Sequence, residues 1–571
     1  MKKLVVILSF VSFGLVSCGG GGGTSNPPPP PPPPISVSVS PSSQTVPGGG
    51  TQQFTATVQN TSNQAVTWQV NGVAGGNSTV GTISGSGLFT APALPPAGGS
   101  ATVTAVSQAD SSKSGSASVT IVFSNASVNG RNAFSFSGID SAGEFFIAGS
   151  FQADGNGNIT SGVEDLNHGT GVFTSVPFTG SYSVGADGRG SATITSSLGS
   201  SAFRFVLGRT GGAAIIAFDS DHGTGGVQKQ DTSAFSSSAI AGNWSFSQSG
   251  IGSFGEPTAD AGRFTLDAAG TVSAGVEDFN DAGVVSSNVA FTGSTSGISS
   301  SGRGTATFTG ALGTSQLAFY VVSANEAVFV SLDFPSGFLG STAKHQSASF
   351  SLSSLNGNYA FLLAGASTLG AVVDAGRFTA DGNGNLSSGV LDENDTGVVL
   401  QNQSFTGTYS LAANGRGTAT VTSAAGSSSF AFDMVSQDGA FLVETDATAV
   451  TLGTALSQKG SPFSTSSISG SFGFFLTGAT VSGLTDIVGK LTANGSGGFT
   501  GTEDTNIGST LTTATSITGT YSIGSNGRGT ATITVSGTTS NFAFYVVDSS
   551  GVLIVGVDPN ELLAGGAGKQ F

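Results

Sequence analysis

The length and composition of the chain favour several β-rich domains and disfavour nucleic-acid binding. Its 571 residues exceed what one hydrophobic core organises, so about four or five domains are expected. Charged residues make up only 9% of the chain, and 89 glycines suit short strands joined by tight turns. The formal net charge of −16 repels phosphate backbones. With one cysteine and three histidines, no disulfide framework, metal site or cofactor is expected.

The N-terminus has the pattern of an export signal. Two lysines precede an apolar run over residues 4–16, which is short for a membrane span and has the length of a signal-peptide core. The run ends in Leu15-Val16-Ser17-Cys18, which resembles the bacterial lipobox. This resemblance implies removal of residues 1–17 and lipidation of Cys18, so the expected partner is a membrane. The same resemblance implies that Gly19 in the next position favours the outer membrane, in a host that has one, or the cell surface.

A tether and one small domain follow the lipid-bearing cysteine. Residues 18–34 are rich in glycine and end in eight consecutive prolines, which should form an extended spacer of roughly 25 Å. Residues 35–123 alternate apolar and polar positions in about seven short strands, as in a β-sandwich. Their motifs resemble the bacterial Ig-like (Big, group 2) family: Gly-Gly-Thr-Gln-Gln-Phe-Thr-Ala (49–56), Val-Thr-Trp (66–68), Gly-Leu-Phe-Thr-Ala-Pro (87–92) and Val-Thr-Ile (119–121). The resemblance implies a surface spacer or adhesion module with Trp68 in its core.

The remainder of the chain is a fourfold internal repeat. A Gly-Arg-Gly motif recurs at intervals of 114, 113 and 112 residues, around Arg189, Arg303, Arg416 and Arg528. An acidic segment recurs with its aspartate at Asp165, Asp278, Asp392 and Asp504. A glutamine near the end of each copy falls at Gln230, Gln346, Gln458 and Gln570. The repeats therefore divide the chain into four domains, over residues 124–235, 236–350, 351–463 and 464–571.

Each repeat reads as seven or eight short strands joined in order by tight turns. Such an order predicts an up-and-down antiparallel meander that closes into a small β-barrel and so removes its edge strands. The predicted fold is therefore all-β, with one Ig-like sandwich followed by four tandem barrels. The strand count of each barrel and the packing between repeats stay open at this point.

Three patterns invite a catalytic or metal-binding interpretation. The pairs Glu164-Asp165, Glu277-Asp278 and Glu503-Asp504 contain glycosidase residue types, but neighbours on a strand point to opposite faces and cannot flank one bond. We expect instead that one acid caps a turn or pairs with the Gly-Arg-Gly arginine. A calcium loop starting at Asp154 would lack its glycine, and Asp219-Ser220-Asp221-His222 places triad residues too close in sequence. No catalytic residue is predicted.

Paired aromatic residues two positions apart recur on the same strand face. They are Phe134/Phe136, Phe203/Phe205, Trp244/Phe246 and Phe542/Phe544. These side chains could line a ligand cavity, but 41 phenylalanines over five domains more simply fill cores.

The favoured hypothesis is a lipid-anchored cell-surface protein with a non-catalytic role in adhesion, glycan or partner binding, or envelope structure. Small-ligand binding inside the repeated barrels is the alternative, and hydrolysis of an extracellular polysaccharide ranks third. The ligand, the type of host envelope and the side that the protein faces stay open.

Overall fold

The computed structural model describes residues 28–346, 349–424 and 426–571, so the export signal and Cys18 lie outside the described residues. The described chain is all-β, with an Ig-like domain followed by four closed antiparallel barrels of eight strands. The predicted fold class is thereby confirmed. Within the described ranges, no helix has the length and apolar character needed to cross a bilayer.

The Ig-like domain contains eleven short strands rather than about seven. They are β1 (Ser36–Ser40), β2 (Ser43–Pro47), β3 (Thr51–Gln53), β4 (Thr55–Gln59), β5 (Val66–Val70), β6 (Val73–Ala74), β7 (Gly76–Asn77), β8 (Gly81–Ile83), β9 (Leu88–Thr90), β10 (Ser100–Ser107) and β11 (Ser114–Val122). The longest sheet has the order β2-β11-β10-β5-β6. Trp68 packs in the core beside Phe54 and Phe89, as the sequence predicted.

Each repeat forms one barrel, in which every strand pairs with the next and the eighth pairs with the first. Barrel 1 comprises β12 (Gly130–Asp140), β13 (Gly143–Ala153), β14 (Asn158–His168), β15 (Gly171–Val184), β16 (Arg189–Ser196), β17 (Gly199–Leu207), β18 (Ala213–Ala217) and β19 (His222–Lys229). Barrel 2 comprises β20 (Gly242–Ile251), β21 (Pro257–Leu266), β22 (Thr271–Asp281), β23 (Val284–Thr295), β24 (Arg303–Gly310), β25 (Gly313–Ser323), β26 (Glu326–Ser331) and β27 (Gly337–His345).

Barrels 3 and 4 repeat this topology. Barrel 3 comprises β28 (Asn356–Ser367), β29 (Ala371–Asp381), β30 (Asn385–Asp395), β31 (Val398–Leu411), β32 (Arg416–Ser423), β33 (Gly426–Ser436), β34 (Gly439–Glu444) and β35 (Ala449–Ser457). Barrel 4 comprises β36 (Ser469–Thr480), β37 (Gly483–Asn494), β38 (Gly498–Ile507), β39 (Thr510–Ile523), β40 (Arg528–Val535), β41 (Thr538–Asp548), β42 (Gly551–Gly556) and β43 (Glu561–Lys569).

A short 3-10 helix precedes each barrel and plugs one end of it. The helices are η1 (Asn125–Val128), η2 (Thr232–Ala234), η3 (Leu352–Ser354) and η4 (Thr465–Ser467). In barrel 1 the Tyr182 hydroxyl donates to the carbonyl of Asn125 at 3.0 Å. In barrel 3 the Tyr409 hydroxyl donates to the carbonyl of Leu355 at 2.8 Å. We call the end that carries this helix the plugged end of each barrel. The opposite end, which we call the mouth, contains the β12–β13 and β14–β15 turns and their equivalents.

The Ig-like domain docks on the plugged end of barrel 1. Leu94, from one of its loops, packs against the barrel core. The Ser127 hydroxyl of η1 donates to the carbonyl of Ala93 at 2.7 Å, and the Ser124 hydroxyl donates to the carbonyl of Gly48 at 2.8 Å. The mouth of barrel 1 therefore lies at the end remote from the Ig-like domain.

The four barrels contact one another in a closed cycle. The first three strands of each barrel pack on the last three of the next, and β36–β38 of barrel 4 pack on β17–β19 of barrel 1. Apolar clusters fill the interfaces, such as Phe146 and Ala148 of barrel 1 against Tyr320 and Val330 of barrel 2. This is a head-to-tail contact whose rotation closes after four copies, which makes a ring.

Candidate functional site

Buried ion pairs join the barrels through the two sequence motifs that mark the repeat. Each acidic-strand aspartate forms an ion pair with the Gly-Arg-Gly arginine of the next barrel and not with that of its own barrel. Arg303 reaches Asp165 with two hydrogen bonds of 2.7 Å, from Nε and from one terminal nitrogen. The equivalent pairs are Arg416–Asp278, Arg528–Asp392 and Arg189–Asp504. The same aspartates accept a backbone N–H from their own barrel, as Asp165 does from Ser175 at 2.9 Å.

The ring closure between barrels 4 and 1 is the weakest of these links. Arg189 makes one hydrogen bond of 3.0 Å to Asp504 and directs its Nε to Asp187 of its own barrel. A tyrosine hydroxyl reinforces two other links, since Tyr320 donates to Asp165 and Tyr545 donates to Asp392. Val206 occupies the equivalent place in barrel 1, opposite Arg189 in the strand register.

Four asparagines, which sequence reasoning missed, link the mouths of adjacent barrels. They lie two residues after the acidic-strand aspartates, at Asn167, Asn280, Asn394 and Asn506. The side-chain nitrogen of Asn280 donates to the carbonyls of Glu444, Asp446 and Ala449 at 2.8, 3.1 and 2.8 Å. Their recurrence at the repeat interval was a signal in the sequence that could have identified them.

The terminal glutamines link the plugged ends in the same direction around the ring. Gln346 donates to the carbonyl of Met434 at 2.8 Å, and Gln570 closes the cycle by donating to the carbonyl of Leu207 at 3.1 Å. The first glycine of Gly-Arg-Gly makes room for this contact: at Gly188 φ is +84°, and a Cβ would lie 2.6 Å from the Gln570 nitrogen. Since mouths join mouths and plugged ends join plugged ends, all four mouths open on one face of the ring.

His222 belongs to the ring closure rather than to a triad. Its Nδ1 lies 3.2 Å from the Asp486 carboxylate of barrel 4, and its Nε2 accepts the backbone N–H of Ser509 at 3.2 Å. Its sequence neighbour Asp219 instead accepts the backbone N–H of Ala202 in barrel 1. The Asp-Ser-Asp-His segment therefore does not assemble into a nucleophile-activating arrangement.

The segment that resembles part of a calcium loop forms a turn. The Asp154 carboxylate accepts the backbone N–H groups of Asn156 and Asn158 at 2.7 and 3.0 Å, and the Asn158 side chain at 2.7 Å. These hydrogen bonds, above all those from Asn158, lower the pKa of Asp154 to about 2. Asp165 points to Arg303 and takes no part in this turn.

Barrels 1 and 3 each contain a sizeable internal cavity, which we call the lumen of that barrel. The lumen of barrel 1 has a volume of about 280 Å³ and that of barrel 3 about 390 Å³, whereas barrel 2 retains only about 60 Å³. The expectation that the paired aromatics fill every core is therefore wrong for barrel 1, where Phe134, Phe136, Phe203 and Phe205 line the lumen.

One lumen-facing position contributes to this difference. The fifth residue after the Gly-Arg-Gly arginine faces the lumen and is Ile194 in barrel 1, Phe308 in barrel 2 and Val421 in barrel 3. The Phe308 ring packs against the rings of Phe291 and Phe264, with centroids 5.2 and 5.6 Å away. One aromatic ring in place of an aliphatic side chain thus fills the space that stays empty in barrels 1 and 3.

The two acids of each Glu-Asp pair face different environments, as the strand geometry predicts. Asp165 lies in the interface between barrels, whereas Glu164 lines the lumen of barrel 1. Burial, with a smaller contribution from the adjacent aspartate, raises the pKa of Glu164 to about 7, and Glu503 in barrel 4 behaves alike. The two carboxyls of a pair therefore cannot act together on one substrate bond.

These raised pKa values predict a stability that falls as the pH rises. Between the unfolded value of 4.5 and the folded value of about 7, the native glutamates keep protons that the unfolded chain has released. Each group should therefore lower the unfolding free energy by up to about 3 kcal/mol above pH 7. We expect the double variant Glu164→Gln and Glu503→Gln to show a flatter melting temperature between pH 4.5 and 8. Parallel curves for variant and wild type would contradict this assignment.

Comparisons with known proteins place one part of the chain in a family. Residues 35–119 match the family model of the bacterial Ig-like domain (group 2), as the motifs predicted. No curated protein matches the chain. Among solved structures, kievitone hydratase from Nectria haematococca aligns with 59% of this chain and 90% of its own, at 7% identity and a TM-score of 0.14, which is too low to support an argument. The Ig-like domain suggests a surface or binding role.

Proposed function

We propose that the protein is a non-catalytic binding protein displayed on the bacterial cell envelope, which takes up small, largely apolar molecules in the lumens of barrels 1 and 3. The observation that carries this proposal is the pair of cavities of about 280 and 390 Å³, whose walls are mostly phenylalanine, leucine, valine and alanine. Cavities of this size lined by apolar side chains are typical of small-molecule sites.

Anchoring at the surface forms part of the same proposal. The lipobox resemblance assigns the lipid to Cys18, and the proline-rich tether would separate the ring from the bilayer. The Ig-like domain enters barrel 1 at its plugged end, so the mouths would face away from the attachment. Loss of membrane fractionation in Cys18→Ser is the expected result, and retention would contradict the anchor.

The lumen proposal is tested with N-phenyl-1-naphthylamine, a neutral dye that fluoresces in apolar surroundings. Ile194→Phe and Val421→Phe each install the residue that fills barrel 2, in barrels 1 and 3 respectively. We expect each variant to remove one dye site and the double variant to remove both. Thr195→Phe is the matched control, because this exposed neighbour of Ile194 does not line the lumen. Unchanged dye binding in the double variant would overturn the proposal.

A second role, in adhesion or envelope structure, is favoured by the ring itself. Four barrels joined by buried ion pairs, with an Ig-like domain docked on one of them, present a wide and rigid face. A glycan and matrix-protein binding screen with the Cys18→Ser chain tests this role. Binding that persists in the lumen-filled double variant would assign it to the outer surface.

A further inference from the structure

The lumen of barrel 3 differs from that of barrel 1 in its charge. Four carboxyl groups line it near the mouth, at Asp374, Glu393, Asp395 and Glu444. No lysine, arginine or histidine lines this lumen in the described part of the chain. At the equivalent of Asp374, barrel 1 has Ile147 and barrel 2 has Asp260, which accepts a hydrogen bond from the Gln248 side chain at 2.8 Å. Among the described residues, the cavities of barrels 1 and 2 are lined by two acids and by none, so the cluster of four acids distinguishes the lumen of barrel 3 from these two.

The protein leaves part of the hydrogen-bonding capacity of these four carboxyl groups unused. Asp374 Oδ1 is buried and has no hydrogen-bond partner among the described residues. Burial first, and then the charges of Glu393, Glu444 and Asp395, raise the pKa of Asp374 well above its usual range. Glu444 accepts the Thr451 hydroxyl at 2.8 Å, and Asp395 accepts the Ser367 hydroxyl at 2.7 Å. A buried acid without a counter-ion keeps its proton, or it ionises when a cation is supplied from outside.

The deeper part of the same lumen is aromatic. Phe361, Phe378, Phe405 and Phe432 lie between the acidic mouth and the plugging helix η3, and all four are part of the barrel core. The lumen therefore presents an anionic end and an apolar end, separated along the barrel axis. A ligand that satisfies both has an ammonium group at one end and an apolar or aromatic body at the other.

We propose that the lumen of barrel 3 binds amphipathic amines, with the ammonium group held by Asp374, Glu393 and Glu444 at the mouth and the apolar body against the phenylalanine floor. This inference rests on the proposed function, since it requires that the lumen admits ligands. It also implies that barrels 1 and 3 bind different ligands. The lumen of barrel 1 is mostly apolar, has Glu164 and Asp221 at its wall and lacks the clustered acids.

The test compares two ligands of the same shape by calorimetry, 4-phenylbutylamine and 4-phenyl-1-butanol. The Ile194→Phe chain is used at pH 7.5, so that barrel 3 is the open lumen. We expect the amine to bind at least tenfold more tightly than the alcohol. In the variant Asp374→Asn with Glu393→Gln, the amine should lose at least tenfold in affinity, while the alcohol binds as before and so shows that the barrel is folded.

A matched control replaces an acid outside the lumen. Asp381→Asn alters an exposed turn of barrel 3 and should leave both affinities unchanged. Equal affinity for the amine and the alcohol would overturn the amine proposal while leaving the lumen proposal intact. Absence of binding by either ligand, together with absence of dye binding to barrel 3, would overturn both.

Discussion

Asp165→Ala should lower the free energy of unfolding by about 3–5 kcal/mol, because it leaves the largely buried Arg303 without its counter-ion. The loss should be large because the Tyr320 hydroxyl, which is also fully buried, loses its acceptor at the same time. Urea unfolding followed by circular dichroism measures the effect. The variant should unfold at a clearly lower urea concentration than the wild-type chain.

Two comparisons make this prediction specific to the interface. Asp504→Ala should cost less than Asp165→Ala, since Arg189 keeps its second partner Asp187. Asp154→Ala removes a turn acid of the same barrel that pairs with no arginine, and it should lower the stability much less than Asp165→Ala does. If all three variants unfolded alike, the aspartates would not link the barrels in the way described.

Asn280→Ala should cost about 2–4 kcal/mol, because it removes the two amide hydrogens that three backbone carbonyls of barrel 3 share. The asparagine is fully buried, so water cannot readily replace it. Thermal unfolding of the variant measures the loss. Asn383→Ala is the matched control, because the exposed side chain of Asn383 donates only within its own turn at 3.3 Å. Equal melting temperatures for the two variants would contradict the role of Asn280.

Much of the fold could be predicted from the sequence, because the alternation of apolar and polar residues in strands and the residue types of turns depend on neighbouring positions in the chain. Phe134 and Phe136 face inward and Ser135 faces the other side of the same strand, as alternation requires. The four copies of about 112 residues then fix the number of barrels. Neither signal depends on which barrels are neighbours.

The arginine that pairs with each acidic-strand aspartate could not be predicted in this way. Asp165 lies 24 positions before Arg189 of its own repeat and 138 positions before Arg303 of the next. Because every copy carries both motifs, the sequence is equally compatible with pairing inside a barrel and pairing between barrels. The choice depends on the apolar outer face of strands such as β13, where Phe146 and Ala148 cover the next barrel.

The lumens could not be predicted from the sequence either, because a cavity depends on the summed volume of the inward side chains and not on the alternation of apolar and polar residues. Ile194, Phe308 and Val421 are all apolar residues at inward positions, yet the barrel that carries the phenylalanine keeps a much smaller cavity than the two that carry the aliphatic residues. The acid at position 374 gives no functional signal by itself in the sequence. Its role depends on Glu393, which is paired with it on the adjacent strand, and on Glu444, which lines the same lumen.

Spin-label distances test the closed ring most directly. In a Cys18→Ser background, which removes the single native cysteine, labels are placed at the exposed positions Leu198 of barrel 1, Leu312 of barrel 2 and Ser536 of barrel 4. The ring predicts that the distance from 198 to 536 equals the distance from 198 to 312 within a few ångström. A distance from 198 to 536 two to three times as long would show an open string of barrels and contradict the account.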